Sequence, residues 1–256
     1  MFALLVFANP LSVAGCPWPV EGQAPRFGDG QRTTGHGQPA TDNGPNSFDL
    51  RLTPMRIVTI FGSSLPGEAS QAYTDARRLG KLLAEAGFAI CNGGYRGLME
   101  ASARGAREAG GHTIGVTCEI WPGKANPWII EEVRTKSFPE RIMTLLERGD
   151  VYVVLPGGTG TLAELALAWE MMNKASLSKT VGGNKPLLVM SPYWLPVIAC
   201  LEQEGQLNST QKEWRSPAME IVTLVTGPEQ AVEYLKKNRQ RVSFRSGDGK
   251  PSPYKL

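Results

Sequence analysis

Short apolar runs alternate with amphipathic stretches along the chain from Met55 onward. The apolar runs have the length of single strands, and the stretches between them repeat apolar residues at the three- and four-residue intervals of a helix. The alternation predicts seven strands, at 57–61, 88–91, 112–116, 132–137, 151–155, 186–190 and 221–225. It predicts six helices, at 69–86, 98–109, 140–147, 162–172, 194–204 and 228–235.

Most of the predicted strands are apolar on both faces, which favours a parallel sheet covered by helices on each side. The predicted fold class is therefore α/β, a single Rossmann-like domain over residues 55–236. Ligands of such sheets bind at the carboxyl ends of the strands. The residues that directly follow each strand are accordingly the first candidates for a site.

Residues 1–54 contain seven Gly and seven Pro and, after an apolar opening, show no helical or strand period. This composition predicts a disordered leader. The opening resembles a bacterial lipoprotein signal before Cys16, although it lacks a basic start and contains Pro10. The alternative hypothesis is that the functional protein begins at Met55.

The overall charge of +3 arises in the last residues. Residues 236–256 hold seven Lys or Arg and one acid, a net +6, whereas residues 55–235 carry −2. We interpret residues 237–256 as a basic flexible tail and regard nucleic-acid binding by it as the less favoured alternative.

Composition narrows the class of protein further. With 41% hydrophobic and 20% charged residues, the 256-residue chain can bury a core. Its four cysteines form no CxxC pair and its two histidines are far apart, so neither a zinc ribbon nor another metal site is expected. Scattered cysteines favour the reducing cytoplasm. No apolar run reaches the eighteen residues of a membrane span, so no membrane partner is expected.

Three glycine-bearing loops follow predicted strands and lead into helices: Gly62-Ser63-Ser64, Gly93 to Met99, and Pro156 to Thr161. Glycine lets the backbone approach a ligand closely, and N–H groups at a helix start favour an anion such as phosphate. Neither a GxGxxG fingerprint nor a P-loop occurs. The loops therefore favour a nucleoside monophosphate or a sugar phosphate, and tight strand-to-helix packing is the alternative for each loop taken singly.

The nine residues Pro156 to Glu164 read PGGTGTLAE. They resemble the PGGxGTxxE signature of the LONELY GUY family, phosphoribohydrolases that release a free cytokinin base from its riboside 5′-monophosphate. Gly93 to Met99 is similar to that family's second glycine motif, and Gly62-Ser63-Ser64 to its first loop. Glu140-Arg141 is similar to the start of its ERK segment.

The resemblance covers roughly residues 55–200. It departs at Ile142, where the family has Lys, and at Glu100, where the family has Gly. It implies a homodimer with sites close to the subunit interface, no cofactor, and a nucleotide substrate whose base is a cytokinin or plain adenine, the latter as AMP.

Cleavage of an N-glycosidic bond develops positive charge on the ribose, which a carboxylate can stabilise while it orients the attacking water. The resemblance gives this catalytic role to Glu164, and to Arg141 the role of holding the substrate and favouring departure of the base. It implies that the substrate and its phosphate contact ten further residues: Gly62, Ser63, Gly93, Gly94, Met99, Gly157, Gly158, Thr159, Gly160 and Thr161.

Each catalytic candidate also has a simpler interpretation. Thr161 to Glu164 has the spacing of a capping box, and spacing alone favours that interpretation of Glu164. Ser137 to Glu140 has the same spacing, and an Arg in the first turn of a helix usually lies on the surface. Only the match to the family motif favours catalysis for both residues.

Other chemistries are disfavoured. No GxSxG elbow is present, and no His-Lys pair exists for a pyridoxal Schiff base. Cys91 and Cys118 fit buried apolar positions better than nucleophiles. The main alternative function is a non-catalytic carrier of a nucleotide or of the molybdenum cofactor on the same fold, for which the Trp- and Pro-containing segment 121–128 could reshape the pocket.

Overall fold

The computed structural model describes residues 55–177, 185–207 and 221–238, without the side chains of 175–177 and 204–207. The predicted leader, 1–54, and most of the predicted tail, 239–256, lie outside the described residues. The domain boundaries drawn from the sequence therefore stay predictions.

Seven parallel strands form one sheet, as the alternating pattern predicts. In chain order they are β1 (Ile57–Phe61), β2 (Ala89–Asn92), β3 (Thr113–Cys118), β4 (Glu131–Thr135), β5 (Val151–Val154), β6 (Leu187–Met190) and β7 (Val222–Val225). Their order across the sheet is β4-β3-β2-β1-β5-β6-β7. The chain therefore builds outward from β1 in one direction and then returns to build from β5 in the other.

Six helices are described, and all six were predicted. They are α1 (Gln71–Glu85), α2 (Leu98–Glu108), α3 (Phe138–Arg148), α4 (Thr159–Leu177), α5 (Leu195–Leu207) and α6 (Pro228–Lys237). Within the described residues, no helix is both long and apolar enough to pass through a bilayer.

The helices cover the sheet from two sides, each with its own core. Apolar residues of α1, α2 and α6 pack on one face, around Ile60 and Val153. Apolar residues of α3, α4 and α5 pack on the other face, around Phe61 and Tyr152. Two packed faces around a parallel sheet confirm the predicted α/β class.

The strand order reverses between β1 and β5, which are hydrogen-bonded neighbours. In parallel sheets such a reversal opens a crevice at the carboxyl ends of the two strands. The loops that follow β1 and β5 begin at Gly62 and Leu155, so the first and third glycine loops lie at this crevice.

Candidate active site

The backbone of Ser63 joins the three glycine loops. Its N–H donates to the Pro156 carbonyl over 3.1 Å, and its carbonyl accepts from the N–H of Leu98 over 2.9 Å. The loops after β1, β2 and β5 are thereby held together at the carboxyl edge of the sheet. Residues separated by almost a hundred positions thus form one candidate site.

Arg141 lies on the inward face of α3 and is only 5% exposed. Its Nε donates to the Val116 carbonyl over 2.8 Å, and its terminal nitrogen Nη2 donates to the Gly93 carbonyl over 3.1 Å. The same nitrogen lies 4.0 Å from the sulfur of Met99. Burial lowers the pKa of Arg141, and the Glu164 carboxylate opposes that shift. The surface position that spacing alone favours is therefore wrong.

Glu164 lies on α4, and its carboxylate faces the guanidinium of Arg141. It is 7% exposed, and its Oε1 is 3.8 Å from the Nη1 of Arg141. Burial raises the pKa of Glu164 to about 7, because desolvation penalises the carboxylate more than the Arg141 guanidinium stabilises it. A carboxyl group with this pKa can exchange a proton near neutral pH.

The two capping-box interpretations have different outcomes. α4 begins at Thr159, so Thr161 lies inside the helix and cannot be its N-cap, and the box at Glu164 is wrong. At α3 the Ser137 hydroxyl accepts from the N–H of Glu140 over 3.3 Å, and the Glu140 carboxylate accepts from the N–H of Lys136 over 2.8 Å. The Ser137 half of the predicted box is therefore present, whereas Glu140 bonds the residue before the N-cap instead of Ser137. The two bonds together fix the start of α3 and with it the position of Arg141.

Gly93 is where the second glycine loop touches Arg141. A Cβ atom at Gly93 would collide with the guanidinium of Arg141 and with the Met99 sulfur. Asn92 holds the loop from below, since its side-chain amide donates to the Met99 carbonyl and its side-chain oxygen accepts from the N–H of Gly94. Gly97 has a φ of 69°, a left-handed conformation that favours glycine. The loop therefore gives Arg141 the close backbone contact that a side chain would prevent.

The third glycine loop forms the N-terminus of α4. Gly158, Thr159 and Gly160 are exposed, and the space beside Gly158 and Gly160 is open. Thr161 is buried, and its hydroxyl lies against Gly157. An open backbone at a helix start can accept a phosphate group.

Aromatic residues that sequence reasoning did not single out surround these groups. Tyr193, two residues before α5, donates its hydroxyl to the Gly157 carbonyl over 2.7 Å. The rings of Tyr95 and Trp121 lie 5.5 and 5.3 Å from the Arg141 guanidinium carbon. Tyr95 belongs to the glycine motif, and Trp121 opens the unusual segment 121–128, so both had a sequence signal, whereas Tyr193 had none.

The departures from the family motif and the cysteines have structural explanations. Ile142 packs in the core beneath α3. Glu100 lies in the first turn of α2, where a negative charge is favourable. Cys91 and Cys118 are buried, and burial raises the pKa of the Cys91 thiol to about 12, which opposes a nucleophilic role. Among the described residues, no three His, Cys, Asp or Glu side chains gather as a metal site requires.

Comparison with known proteins gives a family and several relatives. The model of the SLOG cluster4 family matches residues 55–186. A cytokinin riboside 5′-monophosphate phosphoribohydrolase from Rhodococcoides fascians is 29% identical over 164 residues, which cover 61% of this chain and 78% of that protein. A protein of the same name from Mycobacterium tuberculosis is 36% identical over 126 residues, covering 48% of this chain and 67% of that protein.

A solved structure has the same fold. The molybdenum cofactor binding protein of Rippkaea orientalis superposes with a TM-score of 0.53 at 24% identity, covering 72% of this chain and 96% of that protein. At this identity the likeness extends to the fold alone.

Proposed function

We propose, because this chain belongs to the SLOG cluster4 family and has cytokinin riboside phosphoribohydrolases among its relatives, that it hydrolyses a purine riboside 5′-monophosphate. The products are the free base and ribose 5-phosphate. The substrate is AMP or a cytokinin riboside monophosphate. The observation that carries the proposal is the buried pair of Arg141 and Glu164 beside three joined glycine loops.

The reaction exchanges one bond for another at the anomeric carbon. The bond from that carbon to the purine nitrogen breaks with its electron pair on the base, and the oxygen of water forms the new bond. Glu164, in its ionised form, stabilises the positive charge that develops on the ribose and accepts a hydrogen bond from the water. The water's proton passes through this carboxylate, and the departing base takes up a proton.

Arg141 has a positioning and an electrostatic role in this scheme. Two backbone carbonyls accept hydrogen bonds from its guanidinium and fix the group in place. The remaining nitrogen, Nη1, faces the Glu164 carboxylate. A fixed cation there orients the carboxylate and stabilises the negative charge of the departing base.

The 5′-phosphate binds at the N-terminus of α4 in our proposal. Backbone N–H groups of Gly158 to Thr161 and the positive end of the helix dipole favour an anion at this point. Open space beside Gly158 and Gly160 supports this placement. The first glycine loop, through Gly62 and Ser63, forms the neighbouring wall of the crevice.

The experiment is to incubate the full chain with AMP and with N6-isopentenyladenine riboside 5′-monophosphate and to follow free base by chromatography. We expect base release, and we expect Glu164→Ala or Arg141→Ala to lower it by about 10²- to 10⁴-fold without loss of the folded state. Glu170→Ala is the matched control, since Glu170 lies on the same helix but is exposed. Near-normal turnover in Glu164→Ala would remove the assignment.

The same experiment tests the carrier alternative. If neither nucleotide releases free base and a bound pterin is detected by its fluorescence, a non-catalytic carrier would be favoured over the hydrolase. We also propose a homodimer and a cytoplasmic location, which rest on the resemblance and on the scattered cysteines.

A further inference from the structure

Trp121 belongs to the loop between β3 and β4, and its side chain lies over the guanidinium of Arg141. Its ring centre is 5.3 Å from the guanidinium carbon of Arg141, and the residue is 37% exposed. Trp121 packs edge-on against Tyr95 and against Phe138, with ring centres 5.9 and 5.8 Å apart. One side of the Arg141 guanidinium is therefore covered by an aromatic cluster, whose outermost member is still open to solvent.

The β3–β4 loop is fixed rather than loosely attached. Asn126 donates from its backbone to the Gly94 carbonyl over 2.8 Å and from its side chain to the Tyr95 carbonyl over 2.8 Å. The Tyr95 hydroxyl donates to the Cys118 carbonyl and accepts from the Cys118 N–H. The loop is thereby held on the second glycine motif, and Trp121 has a defined place beside the site.

Strand order decides which end of a nucleotide faces Trp121. The loop that carries Trp121 follows β3, the proposed phosphate loop follows β5, and β2 and β1 lie between them. The guanidinium of Arg141 connects the two ends of this edge of the sheet, because it lies beside both the Trp121 ring and the Glu164 carboxylate. A nucleotide with its phosphate on α4 and its anomeric carbon at Glu164 extends its base toward β3.

We propose that Trp121 stacks on the purine base and is the base-recognition residue of the site. This inference rests on the proposed function. A planar base stacks on an indole face without hydrogen-bonded readout, so this surface accepts purines with or without an N6 substituent. The exposed rim of the cluster is where a substituent on N6 makes its contacts.

Binding separates a contact with the base from an indirect effect through Arg141. In a Glu164→Ala background, which keeps the nucleotide intact, AMP and ribose 5-phosphate are titrated by calorimetry. We expect Trp121→Ala to weaken AMP binding about tenfold or more and to leave ribose 5-phosphate binding unchanged, because ribose 5-phosphate has no base. Trp121→Phe should recover most of the loss.

Trp128→Ala is the matched control, because Trp128 belongs to the same loop but packs against Arg104 of α2. It should bind both ligands normally. Equal weakening of AMP and ribose 5-phosphate by Trp121→Ala would overturn the inference, as would unchanged AMP binding or failure of AMP to bind at all. If AMP binds in this pattern and the wild-type chain does not hydrolyse it, the proposed function fails while the stacking site stands.

Discussion

Glu164 combines two opposing influences in one side chain. Its burial raises its pKa to about 7, although a guanidinium lies 3.8 Å away. A carboxyl group in water would be almost fully ionised at neutral pH, whereas this one is divided between its two forms. The raised pKa follows from the position of Glu164, which is an acidic residue on the inward-facing side of a largely apolar helix.

The raised pKa predicts a pH dependence of hydrolysis. If ionised Glu164 stabilises the ribose cation and the water, kcat/KM should rise with pH through about 7 and level off above 8. For an unburied glutamate the same rise would lie near its ordinary 4.5. A pH–rate profile with AMP measures the rise.

The nucleotide's phosphate also titrates near 6, so the assignment needs a second observable. The infrared band of a protonated carboxyl group should disappear between pH 6 and 8 in the wild type and be missing from that range in Glu164→Gln. A flat rate profile from pH 6 to 8, with no such band, would contradict the role of Glu164.

The same pKa has a consequence for stability that does not depend on substrate. Because the folded pKa lies above the ordinary 4.5, the folded state favours protonated Glu164, and this stabilisation is complete below pH 4.5 and lost as pH rises through 7. Gln remains neutral and does not lose it. Between pH 5 and pH 8, we expect the free energy of unfolding of Glu164→Gln to rise relative to that of the wild type by up to about 3 kcal/mol.

Urea unfolding at pH 5, 6, 7 and 8 tests this difference. The matched variant Glu170→Gln, on the exposed side of α4, should show no comparable trend with pH. A constant difference between Glu164→Gln and the wild type at all four pH values would show that Glu164 is not desolvated in the way described.

At the level of elements, strands and helices were predictable because their patterns are local. β5 is buried at all four positions and reads as an unbroken apolar run, as a central parallel strand should. The start of α4 was predicted three residues late, at Leu162, because glycines at 157, 158 and 160 weaken a helical pattern. The helix nevertheless begins at Thr159, and the N–H of Leu162 donates to the Gly158 carbonyl over 2.9 Å.

The environment of Arg141 could not be predicted in this way. Its partners come from Gly93 and Val116, which lie 48 and 25 residues earlier in the chain, and from Glu164 on the next helix. Periodicity carries no information on such long-range contacts. Only the match to a family motif pointed to this residue.

Tyr193, just before α5, contacts the proposed phosphate loop and allows a prediction about that loop. Its hydroxyl donates to Gly157, and the neighbouring Trp194 donates from its ring nitrogen to the Leu155 carbonyl over 3.0 Å. Tyr193→Phe removes one of these two supports. We expect KM for the nucleotide to rise about fivefold with little change in kcat, since one hydrogen bond contributes roughly 1 kcal/mol.

Steady-state kinetics with AMP separates the two constants. Tyr234→Phe is the control, because Tyr234 packs on the opposite face, near the α6 core. A loss confined to kcat, or an unchanged KM, would show that the Tyr193 contact does not position the phosphate.

At the scale of the whole molecule, the side of the sheet covered by α4 and α5 leaves apolar side chains exposed. Leu162 on α4, Leu195 and Leu201 on α5, and Tyr193 just before α5 are each more than a third exposed. Helices that are apolar on most sides are usually covered by another surface. A second copy of the chain is the partner that the family resemblance implies, and Leu162 would place such an interface beside the proposed phosphate loop.

This arrangement predicts that association and activity change together. Sedimentation should give a mass twice that of the 27.7 kDa chain, and Leu201→Glu should shift it toward the single chain, because a charge on that helix face would be buried without a partner. If the interface supports the loop beside Leu162, hydrolysis should fall in proportion to the dimer lost. Ile130→Glu, at an apolar position just before β4 that is even more exposed than Leu201, should change neither quantity. A single-chain mass at full activity would refute the dimer and leave the site complete within one chain.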